Sequence, residues 1–467
     1  MVKTRIAPSP TGIAHIGTAY MALFNHAYAK QNGGEFLVRI EDTDRARFVE
    51  GAEQVIYDSL EWLEIPYTPT FRQSERLPTY KKAAEELIAT GHAYYCFCTP
   101  ERLETMRKEQ QSRKEIPRYD RTCLHLSKEE VLKRLEAGEK HVIRMQMPDN
   151  EVIVWDDLIR GHVEINTKEL DDQVLMKSDG FPTYHLAVVV DDNGMEITHI
   201  IRGEEWISST PKHILLYRCF GWQQPAFAHM PLLRNPDKTK MSKRKNDVSI
   251  PSYREKGYLP QALRNYLCLL GWSHPEEKDI FDLDEFIKLF SFERMVKGGP
   301  IFDSKKLQWM NGKYIRENMS VEQLTAALQP FLVPEFPADL LPKVLPLIRD
   351  RLVVLSDVND LTKFFYTDIS YPKEELCWKK TTPAEASEFL KAALHLLTSI
   401  DAWEAKRMEP ILLEYCNSKE WNRGAFFMAI RVAISGRSIT PPLFETIEVL
   451  GKEKTLQRLT SAIEVLS

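Results

Sequence analysis

Apolar and polar positions alternate in two rhythms along the first third of the chain. Val2 to Ala7 is a short apolar run of strand composition, and His15 to Gln31 has helical spacing closed by Gly33-Gly34. "EFLVRI" (35–40) is a second strand run, and a further helix is predicted from about Gly51 to Leu63. Strand, helix, strand, helix is the signature of a parallel sheet with crossover helices. From Tyr94 to Pro148 the rhythm loosens around a charged stretch, "ERLETMRKEQQSRKE", read as a solvated helix. Strand runs return in "HVIRMQM", "EVIVW", "YHLAVVV" and "THIIRG", so a sheet interrupted by an inserted module and then resumed is expected. After about Ser249 nearly every segment has helical spacing, as in "QALRNYLCLLGW", "DEFIKLFSFERM", "AEASEFLKAALHLLTSI" and "AFFMAIRVAI", and the pattern restarts near Asn318 to Ser320. The expected fold class is α/β, then all-α.

The chain has 467 residues, 43% of them hydrophobic and 28% charged, which fits two to four globular domains with ample core. It shows no internal repeat, no signal or transit pattern and no apolar run near the ~20 residues that span a bilayer, so a cytoplasmic protein is expected. The net charge of −5 does not decide about a nucleic-acid partner, because a local basic stripe governs phosphate binding. Such a stripe runs from Arg234 to Arg264 through Lys238, Lys240, Lys243, Arg244, Lys245, Arg254 and Lys256.

Seven irregularly spaced cysteines do not make a disulfide framework, which points to a reducing compartment. "CFCTP" and "RTCLH" nevertheless bring Cys96, Cys98, Cys123 and His125 into a C-x-C…C-x-H set able to offer three thiolates and an imidazole to tetrahedral zinc. The alternative is that Cys96 and Cys98 share one buried strand face and Cys123 is unrelated. Cys219, Cys268, Cys377 and Cys416 stand in apolar helical contexts and are read as core thiols.

The stretch "RIAPSPTGIAHIGTAY" (5–20) runs from strand to helix through two prolines and two glycines. Pro8 and Pro10 stiffen the loop, and Gly12 and Gly17 let a ligand approach the backbone. A helix starting near His15 offers amides and a positive dipole end to an anion, with His15 beside it; the plainer reading is a tight turn with His15 at the surface or as a cap. In "NPDKTKMSKRKNDVS", Lys240, Lys243, Arg244 and Lys245 crowd with Ser242 into a short loop suited to a polyphosphate. Together the two features point to a nucleoside triphosphate held between a helix start and a lysine loop.

On these residues the chain resembles the class I aminoacyl-tRNA synthetases, and closely the bacterial glutamyl-tRNA synthetases. "HIGT" (15–18) is similar to the HIGH motif and "KMSKR" (240–244) to KMSKS, while "RIAPSPTG", "VRIEDTDRAR", "PTYHL", "IRGEEW", "LLRNPDKTK" and "NYLCLLGW" resemble glutamyl-specific blocks to about residue 315. Thr18 and Arg244 depart from the motif residues in a way common in the glutamyl branch. The resemblance implies a Rossmann-type doubly wound parallel sheet with an inserted acceptor-binding module, then helical stem-contact and anticodon-binding domains. The corresponding layout is 1–80 and 186–248 for the two catalytic halves, 81–185 for the insert with its zinc site, 249–320 for the stem-contact domain and 321–467 for the anticodon-binding region.

It further implies a glutamate–tRNA ligase that forms glutamyl-AMP from glutamate, ATP and Mg²⁺, then charges the 3′-terminal adenosine of tRNA(Glu), typically activating its amino acid only with tRNA present. His15 and Lys243 would be catalytic, with ATP contacted by His15, Gly17, Thr18, Lys240, Ser242, Lys243 and Arg244. The substrate's side-chain carboxylate would meet Arg5, Tyr184 and Arg202, and its ammonium Glu41 with Ala7 and Ser9. Structural zinc on Cys96, Cys98, Cys123 and His125 is known in some members. A monomer is expected, and Arg349, Arg351, Arg431 and Arg437 are candidates for anticodon reading, each with a surface ion pair as its alternative. A glutaminyl-tRNA synthetase shares the catalytic blocks but carries β-barrel anticodon domains, against the helical C-terminal pattern. A catalytically silent paralogue predicts loss of His15, Lys243 or Glu41, all of which are present.

Overall fold

The computed structural model describes residues 1–239, 241 and 248–467. It divides into two compact units, Met1–Tyr253 with Leu263–Asp303, and Arg254–Ala262 with Ser304–Ser467.

In the first unit, strand β1 (Lys3–Ile6) leads through helix α1 (Ile16–Gln31) to β2 (Glu35–Ile40), and α2 (Ala52–Trp62) leads to β3 (Thr68–Arg72), close to the boundaries read from the sequence. β1 pairs in parallel with β2, and β2 with β3. After α3 (Leu77–Ala89) the chain leaves the sheet to build β4 (Ala93–Cys96), α4 (Pro100–Ser112), α5 (Lys128–Glu136) and β5 (Val142–Met145). β6 (Val152–Asp157) and β7 (Gly161–Asn166) form an antiparallel hairpin, and β8 (Val174–Met176) closes an antiparallel sheet of order β4-β5-β8. α4 buries none of its side chains, as its charged sequence predicts.

The parallel layer is completed by α6 (Tyr184–Gly194), β9 (His199–Gly203), α7 (Thr210–Cys219) and β10 (Ala226–Met230), and β6 already belongs to it, pairing in parallel with β10 at Asp157 and Phe227. The Thr198 amide donates to the Lys3 carbonyl (3.0 Å), which sets β9 beside β1, and β10 pairs in parallel with β9. From β1 the chain therefore winds first to one side, through β2 and β3, and later to the other, through β9 and β10. Such a reversal opens a crevice beyond the strand ends, where α/β sheets bind ligands.

One sequence expectation is corrected. "YHLAVVV" is the first two turns of α6 and not a strand. Leu186 to Asp192 are all buried, the first five of them apolar, and an unbroken apolar run carries no periodicity to separate helix from strand. "DEFIKLFSFERM" is also shorter as a helix than expected, ending at Leu289 and resuming only as a 3₁₀ turn over Phe292–Arg294.

The described residues of the second unit contain helices and turns only. Ser320 caps the helix Val321–Leu328 in a box with Gln323, where the sequence pattern restarts, and Thr382 and Glu385 do the same for Pro383–Thr398. The latter packs along Lys452–Leu466, burying Phe389, Leu390, Ala393 and Leu397 on one side and Leu459, Ala462 and Leu466 on the other.

Candidate active site

A cleft of about 980 Å³ opens at the crossover of the first unit. Nine residues singled out in the sequence line it together: Arg5, Ala7, Ser9, His15, Gly17, Thr18, Glu41, Tyr184 and Arg202. β1 delivers Arg5, Glu41 follows directly on β2, and β9 delivers Arg202; Ala7, Ser9 and His15 come from the loop between β1 and α1, Gly17 and Thr18 from the first turn of α1, and Tyr184 opens α6. Met241 also lines the cleft. Lys240, Ser242, Lys243, Arg244 and Lys245 lie outside the described residues.

The start of α1 corrects a second expectation. Its first amides are already occupied: Ile16 donates to the Val248 carbonyl (2.8 Å), Gly17 to His15 Nδ1 (2.9 Å) and Thr18 to the His15 carbonyl (2.7 Å). His15 is thus the cap of α1 as well as a wall of the cleft. Because Nδ1 accepts the Gly17 amide, a neutral His15 carries its proton on Nε2, and an N–H there suits a phosphate oxygen. A Cβ at position 17 would stand 3.1 Å from His15 Nδ1, so glycine lets the ring fold back over the helix start.

Behind the cleft lies an ion network that the sequence reading missed. Arg5 grips Asp192 through Nε (3.0 Å) and Nη2 (2.8 Å), and Arg39 donates to both Asp192 (2.7 Å) and Glu41 (2.9 Å). Gln73 and Tyr80 donate to Asp191 (2.9 and 2.8 Å). Burial acts to raise the Asp192 carboxyl, but Arg5 and Arg39 outweigh it and hold it below its ordinary value. Burial raises Glu41, offset only in part by Arg39. The available signal was charge inside apolar runs: Arg39 in the middle of "EFLVRI" and the Asp191-Asp192 pair after "VVV".

Tyr184 lies over the Trp206 indole with ring centres 4.1 Å apart. Arg202 donates to Thr210 Oγ1 (2.7 Å), His213 Nδ1 (3.1 Å) and His229 Nε2 (3.1 Å), all neutral acceptors. Burial is the main influence on its guanidinium and lowers it, unlike Arg5, where the Asp192 carboxylate outweighs burial.

In the insert, the sulfurs of Cys96, Cys98 and Cys123 lie within 4.8 Å of one another. Cys98 and Cys123 are 3.6 Å apart, near the ~3.8 Å edge of a tetrahedron with 2.3 Å zinc–sulfur bonds. The three thiols therefore fit a thiolate-held metal. His125 does not join them and is exposed on the 3₁₀ turn Thr122–His125. Instead the Tyr119 hydroxyl stands 3.4 Å from Cys96 and 3.3 Å from Cys98 and accepts the Cys123 amide (3.1 Å). Hydrogen bonding with Cys123 above all pulls the Cys96 thiol below its ordinary value.

Three of the four arginines proposed from the sequence for anticodon reading have structural partners. Arg349 donates to the Arg316 and Met319 carbonyls (2.9 and 2.5 Å), Arg431 to that of Pro441 (2.9 Å), and Arg437 makes a two-pronged pair with Asp360. Arg351 is exposed.

A crossover sheet carrying an inserted module, with this cleft at its reversal point, defines the class of protein: the family described as tRNA synthetases class I (E and Q), catalytic domain, matches residues 1–309, and an anticodon binding domain matches 323–463. Among curated relatives, glutamate–tRNA ligases of Pseudomonas aeruginosa (47% identical, covering 100% of this chain and 95% of the relative), Thermus thermophilus (46%; 99% and 100%) and Acidothermus cellulolyticus (45%; 99% and 96%) align over nearly their whole length. A solved glutamate tRNA ligase of Elizabethkingia meningosepticum, in complex with its amino acid, superimposes with TM-score 0.87 at 35% identity over 100% of both chains. The chain belongs to the glutamate–tRNA ligase family of the class I tRNA synthetases. No helix among the described residues is long and apolar enough to cross a membrane.

Proposed function

We infer that the protein is a glutamate–tRNA ligase, a cytoplasmic monomer that activates L-glutamate with ATP and transfers it to the terminal adenosine of tRNA(Glu). The observation that carries this reading is the single cleft that gathers Arg5, Glu41, Tyr184 and Arg202 with His15 and Gly17. A dicarboxylic amino acid and a nucleotide can meet there within one site.

Arg202 and Tyr184 receive the substrate's side-chain carboxylate, with Arg5, held by Asp192, beside them. Glu41, with the Ala7 carbonyl and Ser9 hydroxyl, receives the ammonium. The α-carboxylate oxygen then attacks the α-phosphorus of ATP, the bond to the bridging oxygen breaks, and pyrophosphate leaves with the electron pair. His15 Nε2–H and Lys243 hold the departing charge, with Lys240, Ser242 and Arg244 contributing from the same loop and Gly17 and Thr18 against the nucleotide. Mg²⁺ bound to ATP would share that charge. In the second step the terminal ribose hydroxyl attacks the acyl carbon and AMP leaves. No side chain need act as nucleophile.

The segments 1–80 and 186–248 form the catalytic domain, 81–185 the acceptor-end module, 249–320 the stem-contact domain and 321–467 the anticodon-binding region. Zinc, held by the thiolates of Cys96, Cys98 and Cys123, keeps the acceptor-end module folded. Tyr119 Oη, 3.4 Å from the Cys96 sulfur and 3.3 Å from that of Cys98, completes the set in place of His125. ATP–pyrophosphate exchange with glutamate and tRNA(Glu) present tests the whole reading: exchange that depends on glutamate supports it, and none from folded protein would sink it.

A further inference from the structure

The atoms that hold Arg202 form a chain of fixed hydrogen-bond direction. A guanidinium can only donate. Arg202 Nε therefore donates to His229 Nε2 (3.1 Å), which must be unprotonated, so His229 carries its hydrogen on Nδ1 and donates it to Asp157 Oδ2 (2.5 Å). Asp157 is itself locked, because its Oδ1 accepts the amides of Ile159 (3.1 Å), Arg160 (3.0 Å) and His229 (3.1 Å). On the other edge, Arg202 Nη1 donates to His213 Nδ1 (3.1 Å), and His213 Nε2 then donates to His185 Nδ1 (3.1 Å).

Nη2 donates to Thr210 Oγ1 (2.7 Å), whose one hydrogen has two acceptors within reach, the Trp206 carbonyl (3.0 Å) and the same unprotonated His229 Nε2 (3.1 Å). Of five guanidinium N–H groups three are taken firmly, leaving one on each terminal nitrogen; Nη2 also reaches the Trp206 carbonyl, at a long 3.5 Å.

We propose that Asp157 and His229 are positioning residues for glutamate recognition: Asp157 fixes the His229 tautomer, and His229 Nε2 fixes the Arg202 guanidinium so that its terminal N–H groups meet the substrate's side-chain carboxylate. This rests on the reading of Arg202 as a glutamate-binding residue. The chemistry favours an imidazole over a second carboxylate at this point. Asp192 neutralises Arg5 directly, whereas Arg202 is steered by neutral atoms and keeps its charge for the substrate. The Asp157 carboxylate is set one ring further back. Burial of His229 and His213, the largest influence on both, keeps the rings neutral and is consistent with this direction of donation.

Asp157→Asn separates a positioning role from a structural one. The amide Oδ1 can still accept the three backbone N–H groups, but an amide N–H facing His229 Nδ1 forces the ring proton onto Nε2, where it confronts Arg202 Nε–H. Asp157→Asn and His229→Ala should each raise KM for glutamate about 10- to 100-fold, the loss of one charge-assisted hydrogen bond, with KM for ATP and tRNA(Glu) within about two-fold of wild type. Gln places its carbonyl oxygen near the site of Nε2, whereas Asn reaches only the site of Nδ1. His229→Gln should therefore recover most of the glutamate KM and His229→Asn should not. Thermal unfolding of each variant identifies those that fold, and the Gln/Asn pair with Asp157→Asn carries the test if His229→Ala does not.

Arg202→Ala serves as the reference. If it raises the glutamate KM while Asp157→Asn and His229→Ala leave it unchanged, or lower only kcat, positioning is overturned and the Arg202 assignment stands. If Arg202→Ala itself leaves the glutamate KM unchanged, the assignment of Arg202 falls, and positioning falls with it.

Discussion

Ile16 donates its amide to the carbonyl of Val248 at 2.8 Å, and two residues to either side Ala14 accepts the amide of Ile250 at 3.1 Å. Two segments remote in sequence, one opening α1 and the other just past the lysine-rich loop, are thus sewn together backbone to backbone. Met241, near the start of that loop, lines the cleft, and Val248, after it, makes this stitch. Since the first three α1 amides are spent on Val248 and His15, the phosphate charge of ATP falls, in the proposed function, to side chains. Lys243→Ala should therefore slow adenylate formation by about 100-fold, the scale on which removing one preorganised donor acts. Binding of tRNA(Glu), followed by filter binding, should change little, and equal losses in both would contradict the role given to Lys243.

Asp192 is the common anion of two buried guanidiniums, and removing its charge leaves Arg5 and Arg39 competing for less. Asp192→Asn should destabilise the first unit by about 3–5 kcal/mol, the cost of breaking a buried pair from one side. The folded carboxyl lies below its ordinary value, so this stabilisation is present at neutral pH and is lost as pH falls through the acid range. Urea unfolding of wild type and variant at pH 7 and pH 4 measures both statements.

The metal site makes a prediction residue by residue. Purified protein should contain one equivalent of zinc, Cys98→Ser should lose it, and His125→Ala should keep it. Tyr119→Phe should weaken retention against a competing chelator. Metal analysis after dialysis against that chelator ranks the four proteins, and zinc loss from His125→Ala alone would restore His125 as the ligand.

Two histidines, His26 buried and His185 partly buried, set an acid limit on stability. Burial lowers His26 and His185 to about 4 in the folded state, against an ordinary value near 6.5. Between those values the unfolded chain binds protons that the folded one refuses, so stability falls as pH falls from about 6.5 to 4. Each ring contributes at most about 1.4 kcal/mol per pH unit. The urea midpoint measured from pH 7.5 to 5 should drop at the acid end, and less steeply in His26→Gln.

Much of the catalytic half was legible in the chain. Strand runs at β1, β2 and β9 place Arg5, Glu41 and Arg202 at or near strand ends, and the spacing of local signals fixes α1 and α2 to within a residue or so. "YHLAVVV" was not legible, because α6 is buried all round and its apolar residues lose the stripe that marks a helix. His125 was drawn to the metal by its place in a C-x-H pattern, yet the 3₁₀ turn points Cys123 inward and leaves His125 outside.

The sequence by itself determined which residue types are present, the order of elements, and the two motif segments whose chemistry calls for a nucleoside triphosphate. Only the tertiary structure decided their partners. It gave the α1 amides to Val248 and His15, paired Arg5 with Asp192, set Arg202 among neutral acceptors, and brought Tyr119 to the cysteines. The reason is that hydrogen-bond direction and burial belong to pairs of groups brought together from distant positions, whereas periodicity reports only on neighbours along the chain.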